Sequence, residues 1–139
     1  MSEVLEPQAP AKVEPKGGVV PYLNVDGAIK AAELYVKAFG AEIAAQHPPD
    51  DQGRTMHVHL FINGSSVMLS DFYPEHGHGF EKPQAFALTL MVDDIQAWFK
   101  RAVAAGCAAA MEPQKMFWGD WYCEVVDPFG VRWSMNQGE

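Results

Sequence analysis

The order of predicted secondary-structure elements repeats once along the chain, at a spacing of 66 or 67 residues. The matching positions are two strand ends, two helix ends and two hairpin turns: Val25 and Val92, Gly40 and Gly106, and Gly64 and Gly130. Self-similarity at a fixed spacing indicates duplicated structural units. Each unit has the pattern of a strand, a helix and three further strands. We therefore predict two βαβββ modules and an α+β fold.

The predicted modules cover residues 19–72 and 85–137 of one domain, 19–139, and a flexible, proline-containing tail is expected at 1–18. The expected strands are 19–25, 41–46, 55–62 and 66–71 in the first module, and 86–92, 108–112, 122–126 and 131–135 in the second. Asn63-Gly64 predicts a tight hairpin, because both residues tolerate a positive φ angle.

Helical periodicity predicts which face of each helix is buried. Asp26 is the expected cap of the first helix, and Asp93 or Asp94 the expected cap of the second. The residues expected to be buried are Ile29, Ala32, Val36 and Phe39 in the first helix, and Ile95, Trp98, Phe99, Ala102 and Val103 in the second.

Charge and composition restrict the possible partners. The chain of 139 residues has a formal net charge of −8, which disfavours nucleic acids and anionic membranes as partners. No apolar run approaches the ~20 residues of a membrane span, and the N-terminal residues lack the pattern of a signal peptide. Cys107 and Cys123 are expected to be buried, reduced thiols, which favours a cytoplasmic location.

Three stretches carry a resemblance to a known family: "VVPYLNVDGAIKAAELYVKAFGAE", "MHVHLFINGSSVMLSD" and "FWGDWYCEVVDPFGVRWSM". Together they resemble the vicinal oxygen chelate superfamily, which comprises glyoxalases, bleomycin-resistance proteins and dioxygenases, and within it the PhnB-like branch. The most specific pieces are the runs 117–120, 127–130 and 132–134. Trp121 departs from the pattern, since similar sequences usually have arginine there. The resemblance implies paired modules whose sheets curl into a cup, with the helices packed outside.

The same resemblance implies where a metal would bind. Metal-dependent members take four ligands from cup-facing positions on the first and fourth strands of each module, which correspond here to Val20, Met68, Ala87 and Ser134. None of these side chains is an imidazole or a carboxylate, the donors that a divalent cation of this kind needs. We therefore expect neither the usual metal nor any other cofactor.

Alternation along the strands predicts which side chains face the cup. Together with a loop tryptophan, these form the expected ligand-binding set: Tyr22, His57, His59, Thr89, Trp118, Tyr122, Glu124, Arg132 and Ser134. Trp118 precedes a strand by a Gly-Asp pair, so it is expected in a loop, where it could stack on a flat ligand or pack at a subunit contact. Trp133 is expected in the core.

Three functions follow from these features. The first is a metal-free protein that binds a small aromatic or amphipathic molecule in the cup, as bleomycin-resistance-type relatives do. The second is a lyase, isomerase or dioxygenase that uses His57, His59, Tyr122 and Glu124, with or without a metal at an unconventional site. The third is a dimerisation scaffold with a vestigial cup. A homodimer is expected because relatives cover exposed sheet edges by self-association.

Overall fold

A computed structural model describes residues 13–138, and the fold contains two mixed four-stranded sheets and two long helices. The first module contains β1 (Tyr22–Asn24), α1 (Ala28–Phe39), β2 (Glu42–Gln46), β3 (Val58–Ile62) and β4 (Ser65–Ser70). The second contains β5 (Leu88–Met91), α2 (Ile95–Ala105), β6 (Ala108–Lys115), β7 (Trp121–Val126) and β8 (Arg132–Gln137). Most of the predicted tail, residues 1–12, lies outside the described residues.

The two sheets have the same topology. Their strand orders are β1-β4-β3-β2 and β5-β8-β7-β6. In each sheet the first strand pairs with the last in parallel, with Tyr22 opposite Met68 and Leu88 opposite Trp133, and the other pairs are antiparallel. The predicted duplication of a βαβββ unit and the predicted α+β fold are confirmed.

Several strand boundaries differ from the prediction. β1 has three residues and β5 has four, shorter than the predicted runs, whereas β6 extends to Lys115 rather than ending at 112. β1 and β5 each pair with one neighbour among the described strands, so fewer ladder hydrogen bonds define their ends. The predicted Asn63-Gly64 turn is present, with φ angles of 51° and 85°.

The caps of the two helices have different origins. Asp26 was the wrong choice for α1: Gly27 occupies the cap position, and Asp71 Oδ1 accepts hydrogen bonds from the backbone N–H groups of Gly27 and Ala28 at 2.7 and 3.2 Å. In α2 the cap is Asp94, as expected, and its side chain accepts from Ala97 N at 3.2 Å. A capping carboxylate can thus come from a distant strand end as well as from the preceding residue.

The buried face of α1 is rotated relative to the prediction. Its fully buried residues are Ala28, Ala31, Ala32, Tyr35, Ala38 and Phe39, whereas Ile29 is half-buried and Val36 is exposed. The face that packs inward is mostly alanine, which lets the helix approach its neighbours closely. In α2, Ile95 and Ala102 are buried as expected, Trp98 and Phe99 are half-buried, and Val103 is exposed.

The core contains residues of both sheets and both helices. Trp133 is 1 % exposed, and its ring centroid lies 5.1 Å from that of Tyr35 and 4.6 Å from that of Phe39. The prediction that Trp133 belongs to the core is therefore confirmed. Cys107 and Cys123 are buried and free. Within residues 13–138, neither helix is long and apolar enough to cross a membrane.

Candidate functional site

The sheet faces opposite the core carry most of the polar side chains that the sequence singled out. Register places His59 beside Met68 on the first sheet, and Glu124 beside Ser134 on the second. Because neighbouring residues of a strand point to opposite faces, these residues lie on the side away from buried Leu60 and Val125. We call these two surfaces the polar faces of the first and second sheets.

The polar face of the second sheet carries a connected trio of side chains. The Tyr122 hydroxyl donates a hydrogen bond to Glu124 Oε2 at 3.0 Å, and Arg132 Nη1 donates to Glu124 Oε1 at 2.7 Å. Burial raises the pKa of Tyr122, and its bond to Glu124 raises the pKa further, although Ser134 opposes this. The phenol therefore stays protonated near neutral pH, and the trio offers fixed donors and acceptors at a partly exposed surface.

Thr89 and Ser134 form a second polar contact on the same face. Their hydroxyl oxygens lie 2.7 Å apart across the parallel pair β5–β8. Thr89 is exposed, whereas Ser134 is completely buried. Of these two predicted ligand-binding residues, Thr89 is therefore the one that a ligand could contact directly in the isolated chain.

The loop between β6 and β7 presents an aromatic surface next to the trio. Trp118 is 48 % exposed, as its predicted loop position requires, and its ring centroid lies 4.9 Å from Phe117 and 6.2 Å from Tyr122. The loop is held by a hydrogen bond from Asn136 Nδ2 to Asp120 Oδ2 at 2.9 Å. An indole is thus positioned within reach of a molecule bound over Tyr122.

The polar face of the first sheet has a separate cluster around His57. Its Nδ1 lies 3.2 Å from the Tyr22 hydroxyl, and its ring centroid lies 5.9 Å from that of His47. Burial lowers the pKa of His57, and the nearby imidazoles of His47 and His59 lower it further. Tyr22 is half exposed, so it and neutral His57 can contact a ligand.

His59 is on the expected face but is covered. Its side chain is 2 % exposed, and its Nε2 lies 2.8 Å from Ser66 Oγ. Lys16 pairs with Ser66 through two hydrogen bonds, from Lys16 N to Ser66 Oγ at 2.7 Å and from Ser66 N to Lys16 O at 3.0 Å. The Lys16 ammonium lies 4.3 Å from the centroid of the Phe61 ring. Lys16, assigned by the sequence to the flexible tail, is instead held against the sheet.

Within residues 13–138, no side-chain hydrogen bond joins the His57 cluster to the Tyr122–Glu124–Arg132 trio. The segment between the two modules lies next to parts of both. It lines a cavity of about 420 Å³ that includes Tyr22, and a second of about 340 Å³ that includes Arg132. Phe80 and Phe86, on either side of Pro83, are the sequence signal that could have indicated an aromatic wall here, but Phe86 was predicted to begin the strand 86–92.

Comparison with known proteins agrees with this architecture. The sequence profile of the glyoxalase/bleomycin resistance protein/dioxygenase superfamily matches residues 18–135. The chain belongs to this superfamily. An uncharacterized protein of Mycobacterium bovis is 40 % identical over 131 residues, covering 90 % of this chain and 84 % of the relative.

Two solved structures show the same superfamily fold. A protein of Pseudomonas aeruginosa has a TM-score of 0.71 and 27 % identity, covering 86 % of this chain and 96 % of the other. The PhnB protein of Bacillus cereus has a TM-score of 0.70 and 22 % identity, covering 88 % of this chain and all of the other. At that identity the second likeness concerns the fold alone.

The positions that correspond by resemblance to the superfamily's metal ligands carry unsuitable side chains in this chain. Val20 and Ala87 carry no donor atom, and Met68 offers only a soft thioether. The Ser134 hydroxyl is buried and hydrogen bonded to Thr89. Among residues 13–138 there is also no group of three or more His, Cys, Asp or Glu side chains arranged to hold a metal ion. These residues do not fit the usual divalent cation.

Proposed function

We propose that the protein binds a small aromatic or amphipathic molecule over its polar faces and does so without the superfamily's usual metal. The observation that carries this proposal is the combination of half-exposed Trp118 with the hydrogen-bonded trio Tyr122, Glu124 and Arg132. Aromatic surface contributes affinity through buried area, while a few fixed polar groups set a ligand's orientation. That division of roles is typical of small-molecule sites.

Ligand binding is better supported than the enzymatic alternative, in which a set of polar side chains would carry out catalysis. The enzymatic alternative uses both His57 and His59 together with Tyr122 and Glu124. His59 is covered and bonded to Ser66, which leaves His57 as the accessible imidazole of that pair. The Tyr122–Glu124 pair is in turn engaged by Arg132, an arrangement suited to orienting a ligand.

We propose that the protein acts as a cytoplasmic homodimer. The outer edges of β1 and β5 have no strand partner among the described residues, and unpaired edges are commonly covered by association. An apolar side chain is exposed on β5, where Met91 is 63 % exposed. Sedimentation at micromolar concentration should give twice the chain mass of 15.3 kDa. A mass of one chain would refute the dimer.

The buried free thiols support the proposed cytoplasmic location, because cysteines stay reduced in that compartment.

A ligand screen on matched variants tests the binding proposal. Planar aromatic molecules are titrated into the wild type, Trp118→Ala and Phe80→Ala, with affinity measured calorimetrically. Phe80 is a suitable control because it is an aromatic residue, 67 % exposed, outside the β6–β7 loop. We expect Trp118→Ala to weaken binding by about 1–3 kcal/mol and Phe80→Ala to leave it unchanged. Equal effects of the two substitutions would show that Trp118 is not part of the site.

A further inference from the structure

The linker between the modules, residues 79–86, borders two cavities that adjoin each other. The first, about 420 Å³, also contacts Tyr22 and Asn24 of β1. The second, about 340 Å³, also contacts Val126 of β7 and Arg132 of β8. Lys82, Pro83, Gln84 and Phe86 line both cavities, so the linker forms a common wall between them. Their combined size is within the range of small-molecule sites.

The linker is placed by side-chain packing and not by backbone hydrogen bonds. Within the described chain, residues 79–86 make no hydrogen bond to either module. Pro83 lies directly against the β7–β8 turn, where a Cβ on Gly130 would be 3.5 Å from Pro83 Cδ. Ala85 has a φ angle of +67°, which alanine rarely adopts. The next side chain, Phe86, is 45 % exposed and faces both cavities.

The two cavities differ in charge. Glu81 and Lys82 both line the first cavity, so its charges oppose each other. The charged side chains of the second are Lys82 and Arg132, and both are positive although the chain as a whole carries −8. Arg132 uses Nη1 to bond Glu124, and its side chain is still 46 % exposed. The second cavity is therefore suited to an anionic group, and the first, between Tyr22 and Phe86, to an aromatic ring.

We infer that the linker is a wall of the binding site and that Phe86 and Lys82 select a planar aromatic molecule with one anionic group, such as a carboxylate or a sulfonate. The ring lies between Tyr22 and Phe86, and the anion lies between Lys82 and Arg132. This inference rests on the proposed function, because Tyr22 and Arg132 also belong to the site proposed above. It adds to that function a preference for an anionic ligand and two further binding residues, Phe86 and Lys82.

Two fluorescent probes of nearly equal shape test the inference. They are 1-anilinonaphthalene-8-sulfonate, which is an anion, and N-phenyl-1-naphthylamine, which is neutral. Both are titrated into the wild type, Phe86→Ala, Lys82→Gln and Phe80→Ala. Phe80 is the matched control, because it is an exposed aromatic residue of the same linker and lines neither cavity. Thermal unfolding confirms that each variant is folded.

The expected pattern separates ring recognition from charge recognition. Phe86→Ala should weaken both probes about tenfold, because it removes a ring contact. Lys82→Gln should weaken the anionic probe about fivefold and leave the neutral probe within about twofold. Phe80→Ala should affect neither. Equal effects of Phe86→Ala and Phe80→Ala, equal sensitivity of both probes to Lys82→Gln, or failure of the anionic probe to bind the wild type would each overturn the inference.

Trp118→Ala distinguishes this inference from the function on which it rests. If Trp118→Ala weakens the probes and Phe86→Ala does not, the proposed site stands and the linker is not part of it. If Phe86→Ala weakens them and Trp118→Ala does not, the linker site stands and the proposed role of Trp118 is wrong. Weakening by both supports one site with the loop and the linker on its walls.

Discussion

The Tyr35 hydroxyl of α1 donates a hydrogen bond to Asp127 Oδ2, 2.5 Å away, in the turn between β7 and β8. Trp133 Nε1 donates to the same oxygen at 3.0 Å, and the backbone N–H groups of Phe129 and Val131 donate to the other oxygen. Tyr35 is completely buried and Asp127 is 3 % exposed. A buried carboxylate with four donors thus joins the helix of one module to the hairpin of the other.

Replacing Tyr35 by Phe should reduce the free energy of unfolding by about 1–3 kcal/mol, because a buried charged acceptor loses a donor. Tyr122→Phe is the matched control, since it also removes a hydroxyl that donates to a carboxylate, but at a partly exposed position. Its cost should stay below about 1 kcal/mol. Urea unfolding measures both. Equal costs would show that burial of the Tyr35–Asp127 pair is not what stabilises the fold.

Trp133→Ala should cost about 3–5 kcal/mol of stability, because it leaves a cavity between Tyr35 and Phe39 and removes a donor to Asp127. Trp118→Ala should leave the thermal unfolding temperature nearly unchanged, since that side chain is half exposed in a loop. Calorimetric unfolding of the two variants gives the comparison. Unfolding of Trp118→Ala would place Trp118 in the core and the ligand site elsewhere.

Asp71→Ala should destabilise the protein by about 2 kcal/mol or more, because one carboxylate accepts from three backbone N–H groups, those of Gly27, Ala28 and Thr55. Asp94→Ala, which removes an exposed cap with a single acceptor contact at 3.2 Å, should cost about 0.5–1 kcal/mol. Both values come from denaturant unfolding. A smaller loss for Asp71→Ala than for Asp94→Ala would refute this ranking.

The repeat, the sheet faces and the core position of Trp133 could be predicted from sequence because each depends on local pattern. Alternation with a period of two determines which side of a strand is buried, whatever the neighbouring strand is. The cap of α1 could not be predicted in this way. Asp71 lies 44 residues from Gly27, and only the pairing of β1 with β4 brings the two together.

For the candidate site, the sequence likewise predicted the face on which each residue lies but not its exposure. Alternation identified the faces of His57, Tyr122 and Glu124, but exposure depends on what covers a face. His59 is bonded to Ser66, which also pairs with Lys16, a residue far away in sequence and in a segment without periodicity. The linker cavities likewise depend on where residues 79–86 cross the modules, and a loop without hydrogen bonds leaves no repeating signal in the sequence.

His57 should titrate below the usual imidazole value of 6.5, because burial and the neighbouring His47 and His59 oppose its protonation. As pH falls through about 6.5, the unfolded chain takes up this proton before the folded chain does. Stability therefore decreases with falling pH until folded His57 is also protonated. NMR titration of the ring protons should show that His47→Gln raises the pKa of His57, while the control His76→Gln leaves it unchanged. An unchanged pKa in His47→Gln would refute the coupling.

Ser66→Ala should uncover His59. The Ser66 hydroxyl is the common partner of His59 Nε2 and Lys16 N, so its removal breaks both the bond to the imidazole and one of the two bonds that hold residue 16. We expect the substitution to destabilise the state in which His59 is covered by about 1.4 kcal/mol. The population of states in which His59 is exposed would then rise about tenfold. Modification of His59 by diethyl pyrocarbonate, located by fragment-ion mass spectrometry, should accelerate by that factor.

Controls at other residues show whether the effect is specific to Ser66 and His59. Ser65→Ala alters the exposed neighbouring serine on the same strand and should leave the rate at His59 unchanged. His76 and His78 are exposed in the wild type, so their rates should be equal in all variants and correct for reagent concentration. If wild-type His59 reacts as fast as His76, or if Ser66→Ala and Ser65→Ala behave alike, the segment around Lys16 does not cover His59.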